Sequence, residues 1–579
     1  MVTADALLTG LDDEQRVAAE ALIGPVCVLA GAGTGKTRAI THRIAYGVAT
    51  GAYTPGRVMA LTFTQRAAAE LRLRLRGLGA GGVAARTFHA AALSQLGFFW
   101  PQVVGGSAPS IIDGKARVLA HAAERIGMKV DTATLRDVAG EIEWRKVSGL
   151  SLEQYEAAVT RGRPLPDRMD TERMLAMQVA YEQLKDERRQ LDFEDVLLVT
   201  AGMIEQEPSV AMQVREQYRF FVVDEFQDVS PVQWQLLRLW MGDRRDLCVV
   251  GDASQTIYSF AGASSDYLLE FPSTFTDATV VRLESNYRSA PPIIDAANRL
   301  MRGRPGALTL HPATTDAAAA AVTQRSFPTD RAEARAVAQS IVELVDAGAR
   351  PEQIAVLYRV NVQGALLEEA LGDVGVSYQV RGSRRFFDLP EVKQAVLALR
   401  AASVSIVGEP LFKSVSDVLR SLGWSQSAPE VRGAVRDRWE SLNAIMGLVD
   451  AAEPDLTFRR FTDELLERQA GQHDPTLSAV TLATLHAAKG LEWEHVFVIG
   501  LSEGLVPISF ARSFDAIDEE RRLLYVGITR ARSTLGLSWA SVGHQQRSNR
   551  EPSRFLAELD TRTPGAARVA RSASSRHPG

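Results

Sequence analysis

The stretch that most constrains this chain is residues 26–38, where an apolar run meets a run of small residues and ends in Gly35, Lys36 and Thr37. This order predicts a strand, a tight turn and the start of a helix. Glycines in such a turn let backbone N–H groups approach a polyphosphate, and the helix presents its positive N-terminal end to the same anion. Ala30 departs from the strict pattern, and a glycine-rich turn without a ligand is the alternative.

A polyphosphate in this turn assigns a role to each neighbouring side chain. Lys36 is expected to reach the β- and γ-phosphates of ATP, and the Thr37 hydroxyl is expected to bind Mg²⁺. Gln15 lies on a helix predicted over residues 11–23 and is a candidate for contacting the adenine edge. The other candidate nucleotide contacts are Ala30, Gly31, Ala32, Gly33, Thr34, Gly35 and Arg38.

Length and composition bound the class of protein. A chain of 579 residues predicts about four domains, and 46% hydrophobic with 23% charged residues is typical of a globular protein. No apolar stretch is long enough for a membrane span and no leader-like N-terminus is present, so we predict a cytoplasmic protein. Cys27 and Cys248 lie in apolar runs and are expected to be buried thiols. A net charge of −5 predicts that any nucleic-acid binding depends on local grooves.

Apolar runs alternate with helical patterns along the first half of the chain. Strands are predicted at 57–64, at 85–90 ending in His89, at 219–228 and at the start of 246–260. This alternation is typical of an α/β fold with a parallel sheet covered on both faces. Residues 91–190 are helical and polar, and we predict that they form an inserted helical subdomain.

Acidic and amide side chains follow two of these strands. Asp224 and Glu225 end an apolar run, and the carboxyl edge of a parallel sheet is where ligands bind. Asp224 is expected to complete the Mg²⁺ shell, and Glu225 to act as the general base that deprotonates the attacking water. Gln255 is placed to sense the γ-phosphate. A surface turn is the alternative for two adjacent acids, and the buried strand before them disfavours it.

Two further pairs of side chains could contact nucleic acid. Tyr258 and Phe260 would share a face of an extended segment and could stack bases, although a core position is the alternative. Arg72 and Arg76 lie one helical turn apart and could form a phosphate-facing ridge, although solvation is the alternative.

The motifs AGAGTGKT (30–37), TFT (62–64), TFH (87–89), VDEFQD (223–228) and VGDASQTIY (250–258) together resemble the superfamily 1 DNA helicases of the UvrD/Rep/PcrA group. The resemblance continues through LESNYRS (283–289), TLHAAKGLEW (484–493) and YVGITRA (525–531), and runs from Leu11 to about Phe555. Strands predicted at 352–359 and 495–500 indicate a second α/β domain, which has no GKT sequence of its own.

The resemblance implies two RecA-like domains, each with a helical insertion, that close on ATP and move along single-stranded DNA in the 3′-to-5′ direction. It implies that Tyr287 stacks on adenine, that Arg288 is an arginine finger, that Arg530 is a second γ-phosphate arginine and that Glu492 contacts the nucleotide. The DNA contacts that it implies are Thr62, Phe63, His89, Tyr258 and Phe260.

The same resemblance predicts the domain boundaries. The ATP-binding domain is expected at 1–90 and 191–282, with its insertion at 91–190. The second RecA-like domain is expected at 283–381 and 476–560, with a reduced insertion at 382–475. Residues 561–579, a Ser/Ala/Arg tail, are predicted to be disordered. Some actinobacterial relatives carry a cysteine cluster and a small domain beyond this point, so a truncated form or a lineage without them is expected.

Two departures from the family pattern bear on activity. Relatives commonly have Trp and then Arg where this chain has Phe260 and Ala261, which predicts a weaker grip on the strand. The second insertion keeps only about 90 residues, small even for a minimal domain. A shortened insertion implies altered regulation, including dependence on a partner protein or on dimerisation.

The leading hypothesis is an ATP-dependent DNA helicase that acts on single-stranded and 3′-tailed duplex DNA in repair or replication. One alternative is a DNA-dependent ATPase that displaces proteins, or needs a partner, with little unwinding of its own. A helicase-nuclease motor is disfavoured because no carboxylate-rich segment follows residue 540. A nucleotide switch without nucleic acid would leave Phe63, His89 and Tyr258 with only a packing role.

Overall fold

Two α/β units make up the chain, and each is built on its own parallel sheet. The first unit comprises residues 1–286 and 390–475, and the second comprises residues 287–389 and 476–579. The structure, a computed structural model, describes residues 3–166, 169–313, 321–381, 387, 389–404, 406, 408–426, 434–450, 452–453, 456–471, 478–543 and 549–559. The tail predicted at 561–579 lies outside these residues.

The described strands of the first unit form a six-stranded sheet in the order β3-β2-β6-β7-β1-β8, and every neighbouring pair is parallel. The strands up to residue 286 are β1 Val26–Ala30, β2 Val58–Thr62, β3 Ala84–Thr87, β4 Ser110–Ile111, β5 Gln190–Leu191, β6 Phe220–Val223, β7 Leu247–Gly251, β8 Thr279–Leu283 and β9 Ser285–Asn286. The predicted strands at 57–64, 219–228 and 246–260 are therefore confirmed, with shorter bounds.

Both faces of this sheet are covered by helices, which explains the unbroken apolar runs in the sequence. Alternate strand residues enter different cores: Met59 and Leu61 pack in one cluster, whereas Val58 and Ala60 pack in another. The helices up to residue 274 are α1 Ala4–Leu8, α2 Asp13–Glu20, α3 Lys36–Ala49, α4 Gln65–Gly77, α5 Phe88–Val103, α6 Lys115–Arg125, α7 Thr132–Val147, α8 Leu152–Thr160, α9 Thr171–Arg188, α10 Phe193–Gln206, α11 Pro208–Gln217, α12 Pro231–Met241, α13 Asp266–Leu269 and α14 Phe271–Thr274.

The predicted strand at 85–90 is wrong at its carboxyl end. β3 ends at Thr87, whose side chain accepts a hydrogen bond from the Ala90 backbone N–H (3.1 Å) and caps α5. A threonine in this position starts a helix, because its oxygen satisfies an otherwise unpaired backbone donor. His89 therefore lies in the first turn of a helix and not at the end of a strand.

The described strands of the second unit also form a six-stranded parallel sheet, in the order β11-β16-β15-β12-β14-β13. The strands after residue 286 are β10 His311–Pro312, β11 Ala321–Thr329, β12 Ile354–Tyr358, β13 Tyr378–Val380, β14 Val480–Thr484, β15 Trp493–Val498 and β16 Ala531–Val542. The helices of the second unit are α15 Pro291–Met301, α16 Asp330–Asp346, α17 Gly364–Val374, α22 Phe514–Ile528 and α23 Arg554–Leu559. Four helices between them in the chain belong to the first unit: α18 Pro390–Ala402, α19 Leu411–Ser421, α20 Ala434–Asp450 and α21 Phe458–Gly471. The α/β fold with two helix-covered parallel sheets is confirmed.

The two thiols are buried, as predicted. Cys27 and Cys248 are both free cysteines inside the first sheet. Burial and, to a smaller extent, nearby Cys248 together raise the pKa of the Cys27 thiol to about 12, so the thiol is protonated and unreactive at neutral pH. In the described part of the chain, no helix combines the length and the apolar character that a membrane span requires.

A buried network of opposite charges joins α7, α9 and the start of α10. Lys146 Nζ lies 2.8 Å from Asp192 Oδ2, 2.6 Å from Asp195 Oδ1 and 2.8 Å from Glu182 Oε1. Lys185 also contacts Asp192, at 3.2 Å. Burial alone would raise the pKa of Asp192, but the two ammonium groups hold it well below its ordinary value.

We expect Lys146→Met to lower the free energy of unfolding by about 3 to 5 kcal/mol, because it leaves the buried carboxylates Asp192 and Asp195 with only one of their two cations. Arg125→Met is the matched control: Arg125 pairs with Glu187 at the exposed surface, and its loss is expected to cost less than about 1 kcal/mol. Urea unfolding of both variants measures the difference. Equal stabilities would contradict an energetic role for the buried network.

Candidate functional site

The loop between β1 and α3 has the geometry of an anion cradle. Gly33 and Gly35 adopt left-handed φ values of +73° and +79°. A Cβ at Gly35 would lie 2.7 Å from Gln15 Nε2, so the loop has no room for a side chain there. Gly35 is also the N-cap of α3 and supplies no side-chain oxygen to the first helical N–H groups. These donors are available to an anion.

Contacts within the first unit hold the loop in shape. The Gln15 amide donates to the Thr34 carbonyl oxygen (2.9 Å), and the Thr34 hydroxyl donates to the Gly31 carbonyl (2.9 Å). Asn286 Nδ2 donates to the Ala32 carbonyl oxygen (2.6 Å). Gln15 is 3% exposed, and the observed contact of its amide is with the loop itself.

The chemistry of the loop centres on Lys36. Its Nζ is buried and has no hydrogen-bond partner among the described residues, and its nearest anion is Glu225 Oε1 at 3.7 Å. A buried ammonium without a hydrogen-bond acceptor is costly unless an anion joins it. This orphaned cation, the uncapped helix start and the glycine cradle fit a polyphosphate. Arg38 is exposed and donates to the Gly10 carbonyl oxygen (2.8 Å).

The carboxylates after β6 lie beside this lysine. The Glu225 backbone N–H donates to Asp224 Oδ1 (2.9 Å), and Glu225 has a φ of +53°, a left-handed conformation that side chains rarely adopt. Such strain costs about 1 to 3 kcal/mol and is concentrated at functional sites. Thr37 and Asp224 offer hydroxyl and carboxylate oxygens, the ligand types that Mg²⁺ prefers.

A polar network missed by the sequence analysis positions Glu225. Gln227 is fully buried; its Nε2 donates to Glu225 Oε2 (2.5 Å), and its Oε1 accepts from the Asp252 N–H (3.0 Å). Gln255 Nε2 then donates to Asp252 Oδ2 (2.7 Å). Burial raises the pKa of Asp252, while Lys36 and the Gln255 hydrogen bond oppose the rise. The signal in the sequence was a pair of polar residues, Gln227 and Asp252, next to strands that are otherwise apolar.

Aromatic rings lie at the same carboxyl edge of the sheet. The rings of Phe63 and Tyr258 are stacked, with centroids 5.4 Å apart and 16° between planes, and Phe63 is 44% exposed. Phe260 is 65% exposed, and its ring meets Tyr258 edge-on at 6.1 Å. The extended segment predicted for Tyr258 and Phe260 is wrong, because residues 259–261 form a 3₁₀ turn. The Thr62 side chain is buried and donates to the Thr64 carbonyl oxygen (3.1 Å).

His89 is joined by an aromatic residue that the sequence analysis missed. Phe193, 58% exposed at the start of α10, packs edge-on against the His89 ring at 5.8 Å. Burial and, to a smaller extent, the nearby Lys115 cation together lower the pKa of His89 to about 4. His89 is therefore neutral at physiological pH. An exposed phenylalanine at the first position of a helix was the only signal in the sequence.

The remaining predicted residues lie in the second unit. Arg288 Nε donates to Glu492 Oε2 (2.5 Å), and Arg532 pairs with the same carboxylate. Burial alone would raise the pKa of Glu492, but the two arginines lower it. Tyr287 is 50% exposed. Arg530 is 2% exposed and donates to the carbonyl oxygens of Val526 (2.9 Å) and Leu491 (3.0 Å).

We expect His89 to destabilise the fold in mild acid. Its pKa is about 4 in the folded chain and about 6.5 when unfolded, so the unfolded state binds more protons between these values. Stability is therefore lost as the pH falls through this window, by about 2 kcal/mol from His89 between about pH 7 and pH 5. Urea unfolding at both pH values measures it.

His89→Asn is expected to reduce this acid sensitivity, and the exposed His121→Asn variant serves as the control. His486 has its pKa lowered to about 4 by burial and keeps part of the effect in both variants. Identical pH dependence in the two variants would show that His89 does not contribute.

Comparison with known proteins accounts for both halves of the chain. Residues 11–276 match the UvrD/REP helicase N-terminal domain, and residues 281–404 and 437–542 match the UvrD-like helicase C-terminal domain. The chain is 47% identical to ATP-dependent DNA helicase UvrD2 of Mycobacterium tuberculosis H37Rv, over 99% of this chain and 86% of that protein. It is 29% identical to DNA helicase II of Escherichia coli K12 (96% and 88%) and 28% identical to ATP-dependent DNA helicase PcrA of Bacillus subtilis 168 (96% and 86%). The resemblance found in the motifs is thus confirmed, and the chain belongs to the family of UvrD-like helicases.

Proposed function

We propose that this chain is an ATP-dependent DNA helicase that moves 3′-to-5′ along single-stranded DNA and unwinds duplexes with a 3′ tail. The observation that carries the proposal is the buried ammonium of Lys36, which lies 3.7 Å from Glu225 and has no hydrogen-bond acceptor among the described residues. It lies at the carboxyl edge of the sheet that also presents the Phe63–Tyr258 stack. Nucleotide and strand would then be bound by one rigid element.

In the proposed hydrolysis of ATP, each of these residues has a separate role. Lys36 and the N–H groups at the start of α3 bind the phosphates, which is electrostatic stabilisation by preorganised donors. Glu225 accepts the proton of the attacking water, and its left-handed backbone and Gln227 fix its direction. Thr37 and Asp224 would hold Mg²⁺, which neutralises phosphate charge when bound.

We propose that the second unit contributes the arginines. Arg288 and Arg530 would neutralise the charge that develops on the γ-phosphoryl group, with Tyr287 stacked on adenine and Glu492 nearby. This role for the arginines rests on the family resemblance, and in the structure the Arg288 guanidinium is bound by Glu492 of its own unit. Hydrolysis would remove the γ-phosphate to which these arginines bind. Loss of this contact would then allow the two RecA-like domains to move relative to each other.

Tyr258, one of the residues proposed to bind the strand, lies close enough to the acids after β6 for their charges to act on it. Burial and, to a smaller extent, the negative charges of Asp228 and Glu225 together raise the pKa of Tyr258 to about 12. The same ring stacks on Phe63, which is exposed and available to a base. We propose Thr62, Phe63, His89, Tyr258 and Phe260 as the DNA contacts.

The finer assignments rest on the family resemblance. We propose the domain boundaries given above, cytoplasmic action in DNA repair or replication, and regulation of unwinding by a partner protein or by dimerisation. A second candidate is a single-strand-dependent ATPase with little helicase activity alone. The exposed Phe260, followed by Ala261 in place of a cation, favours it, because this contact offers stacking without a charge for phosphate.

Lys36→Ala is expected to lower the DNA-stimulated rate of ATP hydrolysis about 100-fold or more, because one preorganised phosphate donor is lost. Glu225→Gln is expected to lower kcat by about 10² to 10⁴ while ATP still binds, because only the base is lost. The measurement is phosphate release with and without single-stranded DNA. A normal rate in either variant would refute the assignment.

Gln227→Leu tests the positioning of the base. We expect kcat for ATP hydrolysis to fall about tenfold to 100-fold with little change in KM, since a hydrogen bond to a charged group is lost. Gln233→Leu is the matched control, because Gln233 only caps α12 through the Ser230 N–H (3.1 Å). A parallel loss in the control, or a change in KM alone, would argue against positioning.

Unwinding of 3′-tailed and 5′-tailed duplexes by the purified chain separates the two candidate functions. Strand separation on the 3′-tailed substrate alone is the expected result for the helicase. Hydrolysis stimulated by single strands without separation of either substrate would support the second candidate. Preferential unwinding from a 5′ tail would overturn the proposed direction.

A further inference from the structure

A cavity of about 600 Å³ lies in the first unit, away from the nucleotide loop. Its walls are the last turns of α4, the glycine-rich loop before β3, and the residues that precede β2 and β6. The volume falls within the range of small-ligand sites. None of its lining residues has a role in the proposed hydrolysis or strand binding.

Three arginines face this cavity. Arg72 and Arg76 come from α4 and Arg86 from β3, and all three line the same space. Among the described residues, none of the three forms a salt bridge, although Arg74 on the same helix pairs with Glu70. Burial lowers the pKa of Arg72, and the neighbouring charges of Arg76 and Arg86 lower it further. The cluster is therefore a concentration of positive charge without a counter-anion in the described chain.

Packing explains only part of this arrangement. Arg72 donates to the Ala85 carbonyl oxygen (2.6 Å) and so covers the outer edge of β3. Arg76 lies in the last turn of α4, where a cation is favoured by the helix dipole. Among the described residues, Arg86 donates to no carbonyl oxygen, and it does not lie at a helix end. Its positive charge lies near those of Arg72 and Arg76, and this repulsion is unfavourable. That cost would be offset by an anion bound between them.

The glycine-rich loop adds hydrogen-bond donors to the same cavity. Gly81 and Gly82 line it, and Gly82 has a φ of +91°. A Cβ at Gly81 would meet open space, so nothing in the packing requires glycine there. In the described part of the chain, the N–H groups of Gly81 and Gly82 donate to no backbone or side-chain acceptor. Glycine-rich turns with available N–H groups are typical of phosphate sites.

The cavity and the nucleotide loop lie at opposite edges of the sheet. Gly56 precedes β2, Tyr218 precedes β6 and Gly81–Val83 precede β3, so the cavity is at the amino ends of parallel strands. The nucleotide loop follows the carboxyl end of β1. Strands of four or five residues separate the two edges by about 15 Å. An anion in the cavity is thus distinct from the phosphates bound by Lys36.

We propose that this cavity is a second phosphate-binding site, formed by Arg72, Arg76, Arg86 and the backbone of Gly81 and Gly82. A phosphate group carries up to two charges and several acceptor oxygens, which match three guanidinium groups. A single carboxylate has one charge and two oxygens, which one arginine satisfies. The phosphate comes either from a free phosphorylated ligand or from the backbone of a DNA segment.

The test is calorimetric binding of inorganic pyrophosphate to the full chain carrying Lys36→Ala, which disables the nucleotide loop. We expect binding to remain, and to weaken at least tenfold when Arg86→Gln or Arg76→Gln is added. Arg74→Gln is the matched control and should change nothing, because its charge is already paired. Arg86→Lys keeps the charge and guards against a folding effect, and thermal unfolding of each variant checks its integrity.

Three results would overturn the site: no pyrophosphate binding in the Lys36→Ala chain, equal affinity with and without Arg86→Gln, or stronger competition by a polyglutamate peptide than by pyrophosphate. A blunt DNA duplex identifies the source of the phosphate. If Arg86→Gln lowers the salt slope of duplex binding by about 1, the backbone supplies it. If the salt slope of duplex binding is unchanged and pyrophosphate still binds, the natural ligand of the cavity is a free phosphorylated molecule.

Discussion

The candidate site of the first unit depends on a buried cation whose charge is only partly compensated. Lys36 Nζ is buried at the start of α3, with Glu225 at 3.7 Å and no hydrogen-bond acceptor among the described residues. Its charge is only partly balanced, so the loop favours an anion strongly. The left-handed glycines and the uncapped helix start direct further donors to the same point. The incompletely compensated charge of Lys36 and these N–H donors together favour the binding of a polyphosphate.

A chain of buried polar contacts extends from that cation towards the aromatic residues. Gln227 joins Glu225 to the Asp252 backbone, and Asp252 in turn accepts from Gln255. Tyr258, which follows three residues later, is affected by the charges of Asp228 and Glu225. In a low-dielectric interior such contacts transmit a change of charge with little screening. The polar network and the Phe63–Tyr258 stack lie side by side at the carboxyl edge of the first sheet.

Much of the fold could be predicted because its determinants are local. Buried parallel strands require continuous apolar runs, and β1, β2, β6 and β7 have them. The bounds of β3 were missed because the Thr87 cap competes with strand propensity, which placed His89 in a helix. The turn at Tyr258 was missed for a similar reason: residue spacing does not report a 3₁₀ conformation. Phe193 was missed because its partner His89 is distant in the chain.

The glycine-rich loop before Lys36, the acids after a buried strand and the family could all be recognised from the sequence, because these features depend on residue type at fixed short spacing. The balance of charges, by contrast, depends on the tertiary fold. Among the described residues, the fold leaves Lys36 without a hydrogen-bond acceptor, whereas it encloses Arg530 among carbonyl oxygens of its own unit. It also gathered Arg72, Arg76 and Arg86 around one cavity. Burial and charge compensation depend on neighbours that are remote in sequence, and no local pattern encodes them.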